Sequence, residues 1–135
     1  MSRGETPSRF VIDTHTWHWY LQDDPQLSPG ARAALRLVEL GEAQLLTPAI
    51  VLAELVCLCE KLGIPSPLEA VAQTIAGNRN MLVVDLGLVQ LAAFEKLDPT
   101  LEMHDRLILA AAVVAEATLI TRDRRLRSAG LPTIW

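Results

Sequence analysis

The chain has 135 residues, 50% of them apolar and 21% charged, which fits one folded domain around one core and excludes a disordered chain. Its formal net charge of −4 argues against a uniformly basic nucleic-acid surface, so any such contact depends on local clusters. The longest apolar run, residues 107–115, stops at Glu116 and is too short to span a bilayer.

Residues 1–8, MSRGETPS, are polar and lack the apolar stretch of a signal peptide. They read as a flexible leader before a single domain over 9–135, and a cytoplasmic, non-membrane protein is expected. Phe10, Val11 and Ile12 form a short buried strand, followed directly by Asp13. A carboxylate at the end of an apolar strand lies beside a low-dielectric core, where its charge is costly. HTWHWYL then forms a short helix and DDPQLSPG a loop. Ser28 caps the next helix, with Pro29 in its first turn and Gly41 at its end. Residues 43–47 are a strand. Thr47-Pro48 opens a helix that runs to Gly63. Ser66 is expected to cap the following helix, with Pro67 inside it and Gly77-Asn78 as its stop. Residues 81–85 are a strand, 87–97 a helix, 104–117 a strongly apolar helix and 118–121 a strand. RRLRSAG makes a helical turn and PTIW a last strand.

Short apolar strands alternating with helices predict an α/β fold, a central parallel sheet with helices on both faces and right-handed crossovers. Ligands in such sheets bind beyond the carboxyl ends of the strands, where strand order reverses. No Gly-rich phosphate loop follows any strand, so dinucleotide and P-loop functions are not supported. Cys57 and Cys59 are two apart in a helix. They fit neither a CxxC pair nor a zinc pair, and read as buried reduced thiols.

The topology brings Asp13, Glu54, Asp105 and Asp123 toward one sheet edge, each from a different element. Each has a plainer explanation. Asp13 and Asp123 can cap the helices that follow them, and Asp105 lies in a first helical turn, where the macrodipole favours an anion. Glu54 is mid-helix, too late for a cap, although it shares a face with Lys61. His15 and His18, at i and i+3, allow a transition-metal site, but no HExxH-type partner accompanies them. Trp17 and Trp19 read as packing residues, with base stacking as the alternative. Arg122, Arg124, Arg125 and Arg127 form either a solvated face or an RNA-phosphate contact.

The segments VIDTHTWHWYL, PAIVLAEL, HDRLILAAA, LITRDRRL and LPTIW together resemble the PIN-domain ribonucleases, and more narrowly the VapC-type toxins of toxin–antitoxin modules. The likeness runs from Phe10 to Trp135. The chain departs from it at Glu102-Met103, where many relatives carry Asp-Pro, and at His15, often a hydroxyl or amide residue. The resemblance implies a PIN-like, Rossmann-like sheet and hydrolysis of RNA phosphodiester bonds with Mg²⁺ or Mn²⁺. Asp13 and Asp105 would be the main metal ligands, with Glu54 in support. Asp123 would complete a second metal position or orient water. Thr121 would hydrogen-bond a carboxylate or water, and Glu102 would add weaker acidity. A cognate antitoxin and a homodimer are the implied partners. The alternatives are a PIN nuclease of RNA processing and a catalytically silent module that docks a basic peptide.

Overall fold

The computed structural model describes residues 8–135. In chain order they form β1 (Ser8–Ile12), α1 (Thr14–Gln22), α2 (Pro29–Glu39), β2 (Ala43–Pro48), α3 (Ala49–Leu62) and α4 (Leu68–Ala76). Then follow β3 (Met81–Val84), α5 (Leu88–Lys96), α6 (Met103–Ala115), β4 (Thr118–Ile120), α7 (Arg124–Arg127) and β5 (Thr133–Ile134). The expected leader lies outside the described residues except for Ser8. That residue belongs to β1, opposite Ala43, so the strand begins earlier than its apolar run.

All five strands are parallel, in the order β3-β2-β1-β4-β5. Val11 and Ile12 are adjacent, point to opposite faces of β1, and are both 0% exposed, so both faces of the central strand are covered. α3 and α6 pack against one another and against β2, β1 and β4, while α2 and α4 lie against β2 and β3. The chain builds outward from β1 through β2 to β3, then returns to the other side of β1 for β4 and β5. That reversal puts a topological switch point between the carboxyl ends of β1 and β4.

Several boundaries differ from the sequence expectation. α4 begins at Leu68 with Pro67 as its N-cap, and Ser66 Oγ only approaches Leu68 N at 3.4 Å. Pro65 and Pro67 each disfavour helix in the residue before them and hold the approach extended. α6 ends at Ala115 because Glu116 turns left-handed, with φ 51°. Arg9 Nη1 then donates to the Ala115 carbonyl at 3.1 Å, so β1 helps to close α6. Cys59 is buried but Cys57 is exposed, contrary to expectation. Two steps along a helix are about 200° around it, so only one of the pair faces the core.

Trp17 is fully buried, and its indole Nε1 donates to Thr47 Oγ1 at 2.9 Å. Trp19 packs at a tilt of 58° against Trp135, ring centroids 5.7 Å apart, and the Trp135 backbone lies over the start of α2. There, a Cβ on Gly30 would come within 2.6 Å of the Trp135 carbonyl oxygen. Helix propensity alone makes Gly30→Ala stabilising by about 0.5–1 kcal/mol. The clash is with backbone and should outweigh this, at the about 1–3 kcal/mol typical of overpacking. Gly30→Ala should therefore melt lower than wild type, and a higher melting temperature would show that Trp135 yields freely.

Candidate active site

Asp13 leaves β1 and caps α1. Its Oδ1 accepts from Thr16 N at 3.1 Å and from the Thr16 hydroxyl, and its Oδ2 accepts from the Thr121 hydroxyl. The pairing of Ile12 with Ile120 makes this possible: it sets Asp13 beside the first residue after β4. Thr121 is thus just beyond its strand, and its Oγ1 also accepts from Asp123 N at 3.0 Å. Asp13 is only 7% exposed. Burial pushes its carboxyl above the ordinary range. The hydrogen bonds from Thr121 and Thr16 and the charge of His15 pull it back without cancelling the effect.

Glu54 projects from α3, and Thr14 Oγ1 donates to its Oε1 at 3.0 Å. Asp105 is in the first turn of α6, but the N-cap there is Glu102, whose Oε2 accepts from Asp105 N at 3.0 Å. Glu102 Oε1 also pairs with His104 Nδ1 at 2.8 Å, so Glu102 is occupied at the helix terminus. Asp123 caps α7 and accepts from Arg125 N at 2.8 Å.

These side chains converge. Asp13, Glu54, Asp105 and Asp123 line one pocket of about 600 Å³. The Asp105 carboxyl is pushed up by burial first, then by the charges of Asp123, Glu102 and Glu54, while Arg125 opposes them. Glu102 therefore acts on the site through its charge and does not line the pocket, and Thr121 lies buried beneath it. The arginine cluster divides. Arg122 lines the pocket, Arg125 acts on Asp105 through its charge, and Arg124 and Arg127 are exposed on α7 outside the lining. His15 lines the pocket and His18 does not, so they form no shared metal site. Lys61, Cys57 and His104 join the wall, and sequence reasoning gave none of them a site role. Thr14 and Thr16 were also missed. Their signal is the spacing in DTHT, which puts Thr16 at the position whose amide an Asp13 cap reaches.

Among the described residues, no three His, Cys, Asp or Glu side chains close into a ready-made metal cage. Mg²⁺ asks for less: it keeps several waters and takes one or two carboxylates. A set of hard carboxylate oxygens fits such an ion and is poor for structural zinc.

A parallel α/β sheet with an acidic pocket at its switch point defines the class. A profile of the PIN domain matches residues 10–131, and the chain belongs to that family. No curated protein sequence gives a match. Among solved structures it is similar to VapBC2 from Rickettsia felis bound to a promoter DNA fragment, at 16% identity, with 93% of this chain and 96% of that one covered and a TM-score of 0.68. It is also similar to Mycobacterium tuberculosis VapC20, a sarcin–ricin-loop-cleaving toxin, at 19% identity, coverages of 90% and 95%, and a TM-score of 0.63. FitAcB from Neisseria gonorrhoeae is 18% identical, with coverages of 92% and 95% and a TM-score of 0.63. At these identities the likeness is one of fold.

The raised carboxyls of Asp13 and Asp105 bind protons more tightly in the folded state than in the unfolded one. Their contribution to stability is full below the unfolded value of 3.8 and is lost as pH rises through the folded value. In EDTA, the melting temperature should rise as pH falls from neutral to mildly acidic, until carboxyls held low by hydrogen bonds, such as Asp98, begin to protonate. Asp105→Asn removes the repelled charge at nearly constant shape and should melt above wild type in EDTA at pH 7. A lower melt would mean that the α6 dipole outweighs the crowding. Thr121→Val removes a buried donor from Asp13 and an acceptor from Asp123 N, and should cost about 1–3 kcal/mol in denaturant titration.

Proposed function

We propose that the chain is a metal-dependent endoribonuclease, the toxin of a type II toxin–antitoxin pair acting in the cytoplasm. The observation that carries this reading is the crowding of Asp105 by Asp123, Glu102 and Glu54, in one pocket with the desolvated Asp13. Folding alone gains nothing from setting like charges together, whereas metal-assisted cleavage of a phosphodiester uses such a set to hold its cation. Asp13 and Asp105 would hold Mg²⁺ or Mn²⁺, with Glu54 and Asp123 in support, and the bound ion would acidify a water and offset phosphate charge.

The chain's own residues do the positioning. Thr16 and Thr121 fix both oxygens of Asp13, so that carboxylate is oriented before any ligand arrives. Thr14 does the same for one oxygen of Glu54. Asp123, exposed and tied to Thr121 through its amide, would accept a proton from water at its carboxylate, and its hydrogen bond to Thr121 supports that role. Arg122 and Arg125 give the strand's phosphates local positive charge on a chain that is acidic overall.

Partner binding is supported by an apolar surface. Leu82 and Val83 of β3, Leu86, and Leu88, Val89 and Leu91 of α5 are exposed, Leu88 by 84% and Val89 by 64%. A strip of this kind beside an edge strand suits a second copy or an antitoxin segment. A structure of like fold from Klebsiella pneumoniae is described as a toxin–antitoxin complex, which accords with that role. No helix among the described residues is long and apolar enough to cross a membrane.

Purified protein should cleave RNA with Mg²⁺ or Mn²⁺ and stop on addition of EDTA. Asp105→Asn should cut the rate by orders of magnitude, and undiminished cleavage by that variant would remove the assigned site. Expression without a partner should arrest growth, while Asp13→Asn at equal abundance should not. Equal arrest by both would detach toxicity from the carboxylates.

A further inference from the structure

Arg122 has a fixed seat that the other arginines of its segment lack. Its guanidinium carbon lies 4.3 Å from the centroid of the Trp19 ring, and its Nη1 donates to Gln26 Oε1 at 3.3 Å. Trp19 is itself immobilised. Its ring lies 5.7 Å from Trp135 and 5.6 Å from His15, and the residue is 6% exposed. Trp135 is held in turn where α2 offers a glycine, Gly30, to its backbone. Trp19 is therefore covered, and no nucleobase can stack on the face that Arg122 occupies.

No carboxylate among the described residues pairs with Arg122; the ion pairs there use Arg32, Arg36 and His104. An exposed guanidinium held over an indole keeps most of its N–H donors for an outside anion, in the planar fork that suits phosphate. It presents them to the same pocket as the four carboxylates. The cation that bears on Asp105 is Arg125, and the one that bears on Asp13 is His15. Arg122 follows directly on Thr121, which donates to Asp13, and lines the same pocket, so a strand bound at the acids would carry a flanking phosphate along this wall.

We propose that Trp19 is a positioning residue: it holds the Arg122 guanidinium open at the pocket wall, where Arg122 grips an RNA phosphate flanking the one at the carboxylates. This rests on the ribonuclease reading above, but its test separates the two. Binding of a short fluorescein-labelled single-stranded RNA is followed by anisotropy across a salt series, using the full chain with Asp105→Asn to silence cleavage. Arg122→Ala should weaken binding about tenfold and reduce the slope of log affinity on log salt by about 0.7, one phosphate contact on a single strand. Trp19→Leu should lose several-fold in affinity with no change in charge. The double variant should bind no worse than Arg122→Ala, because the two side chains act as one unit. Arg122→Lys should keep most of the salt slope and lose the dependence on Trp19.

Melting curves accompany each variant, and Trp19→Phe keeps an aromatic ring in place if Trp19→Leu does not fold; its affinity should fall between those of wild type and Arg122→Ala. Losses that simply add, or Trp19 variants that bind like wild type, overturn the positioning role. So does displacement of the RNA by a polyglutamate peptide at lower concentration, which would assign the seat to an acidic protein partner. Cleavage is measured separately with Asp105 intact. Coupled binding without metal-dependent cleavage leaves Trp19 in its role and removes the nuclease reading. Cleavage with additive losses does the reverse, and a chain that binds no RNA removes both.

Discussion

The pairing of β1 with β4 is the constraint on which the site depends. Asp13 and Thr121 are 108 residues apart, yet the register that sets Ile12 against Ile120 makes them neighbours. The ladder continues one step past the strands, with Asp13 N donating to the Ile120 carbonyl at 3.4 Å. From that step a buried carboxylate gains the Thr121 hydroxyl on one oxygen and Thr16 on the other. Without those donors, a charge at the edge of a core this apolar would cost several kcal/mol or take up a proton. A shift of one residue in this register would turn Thr121 to the other face and leave Asp13 without its donor.

Capping a helix and building the pocket are here the same act. Asp13 caps α1 and Asp123 caps α7, both at the pocket, and Asp105 lies in the first turn of α6. Three helix N-termini thus meet where the chain turns back from its sheet. The longer two, α1 and α6, bring partial positive charge toward Asp13 and Asp105, worth roughly 0.3–1 kcal/mol apiece. The plain structural account of each acid is therefore correct and incomplete. At Asp105 burial raises the carboxyl first and the charges of Asp123, Glu102 and Glu54 add to it, while Arg125 opposes them without cancelling the effect. Repulsion that survives such compensation is what a site for a cation and a phosphate would retain.

Arginine placement follows the same geometry. The loop before α7 and the turn of α7 itself separate side chains close in sequence: Arg122, ahead of the helix, lies over Trp19, Arg125 bears on Asp105, and Arg124 and Arg127 face solvent. Four positive charges in one hexapeptide thereby serve different places, and an acidic chain concentrates a little positive field beside its carboxylates.

The alternation of apolar runs with capped, amphipathic segments determined the α/β class and the strands, because burial on both faces demands continuous apolar stretches. The acids were legible for a related reason. An Asp straight after the apolar FVI stands where charge is expensive, and an Asp after LITR and a Glu inside PAIVLAEL interrupt apolar runs in the same way. Helix ends were less legible: Glu116 takes a left-handed φ that Gly or Asn usually supplies, and Pro67 caps where Ser66 was expected. Only the tertiary structure decided that Thr16 and Thr121 hold Asp13, that Thr14 holds Glu54, that Glu102 is committed to its helix terminus and His104, and that Cys57 opens to the pocket. It alone seated Arg122 on Trp19 and Trp135 against Gly30. Those contacts join residues distant in the chain. A side chain's local pattern reports how much it needs to be buried or paired, whereas its partner is set by strand order and register.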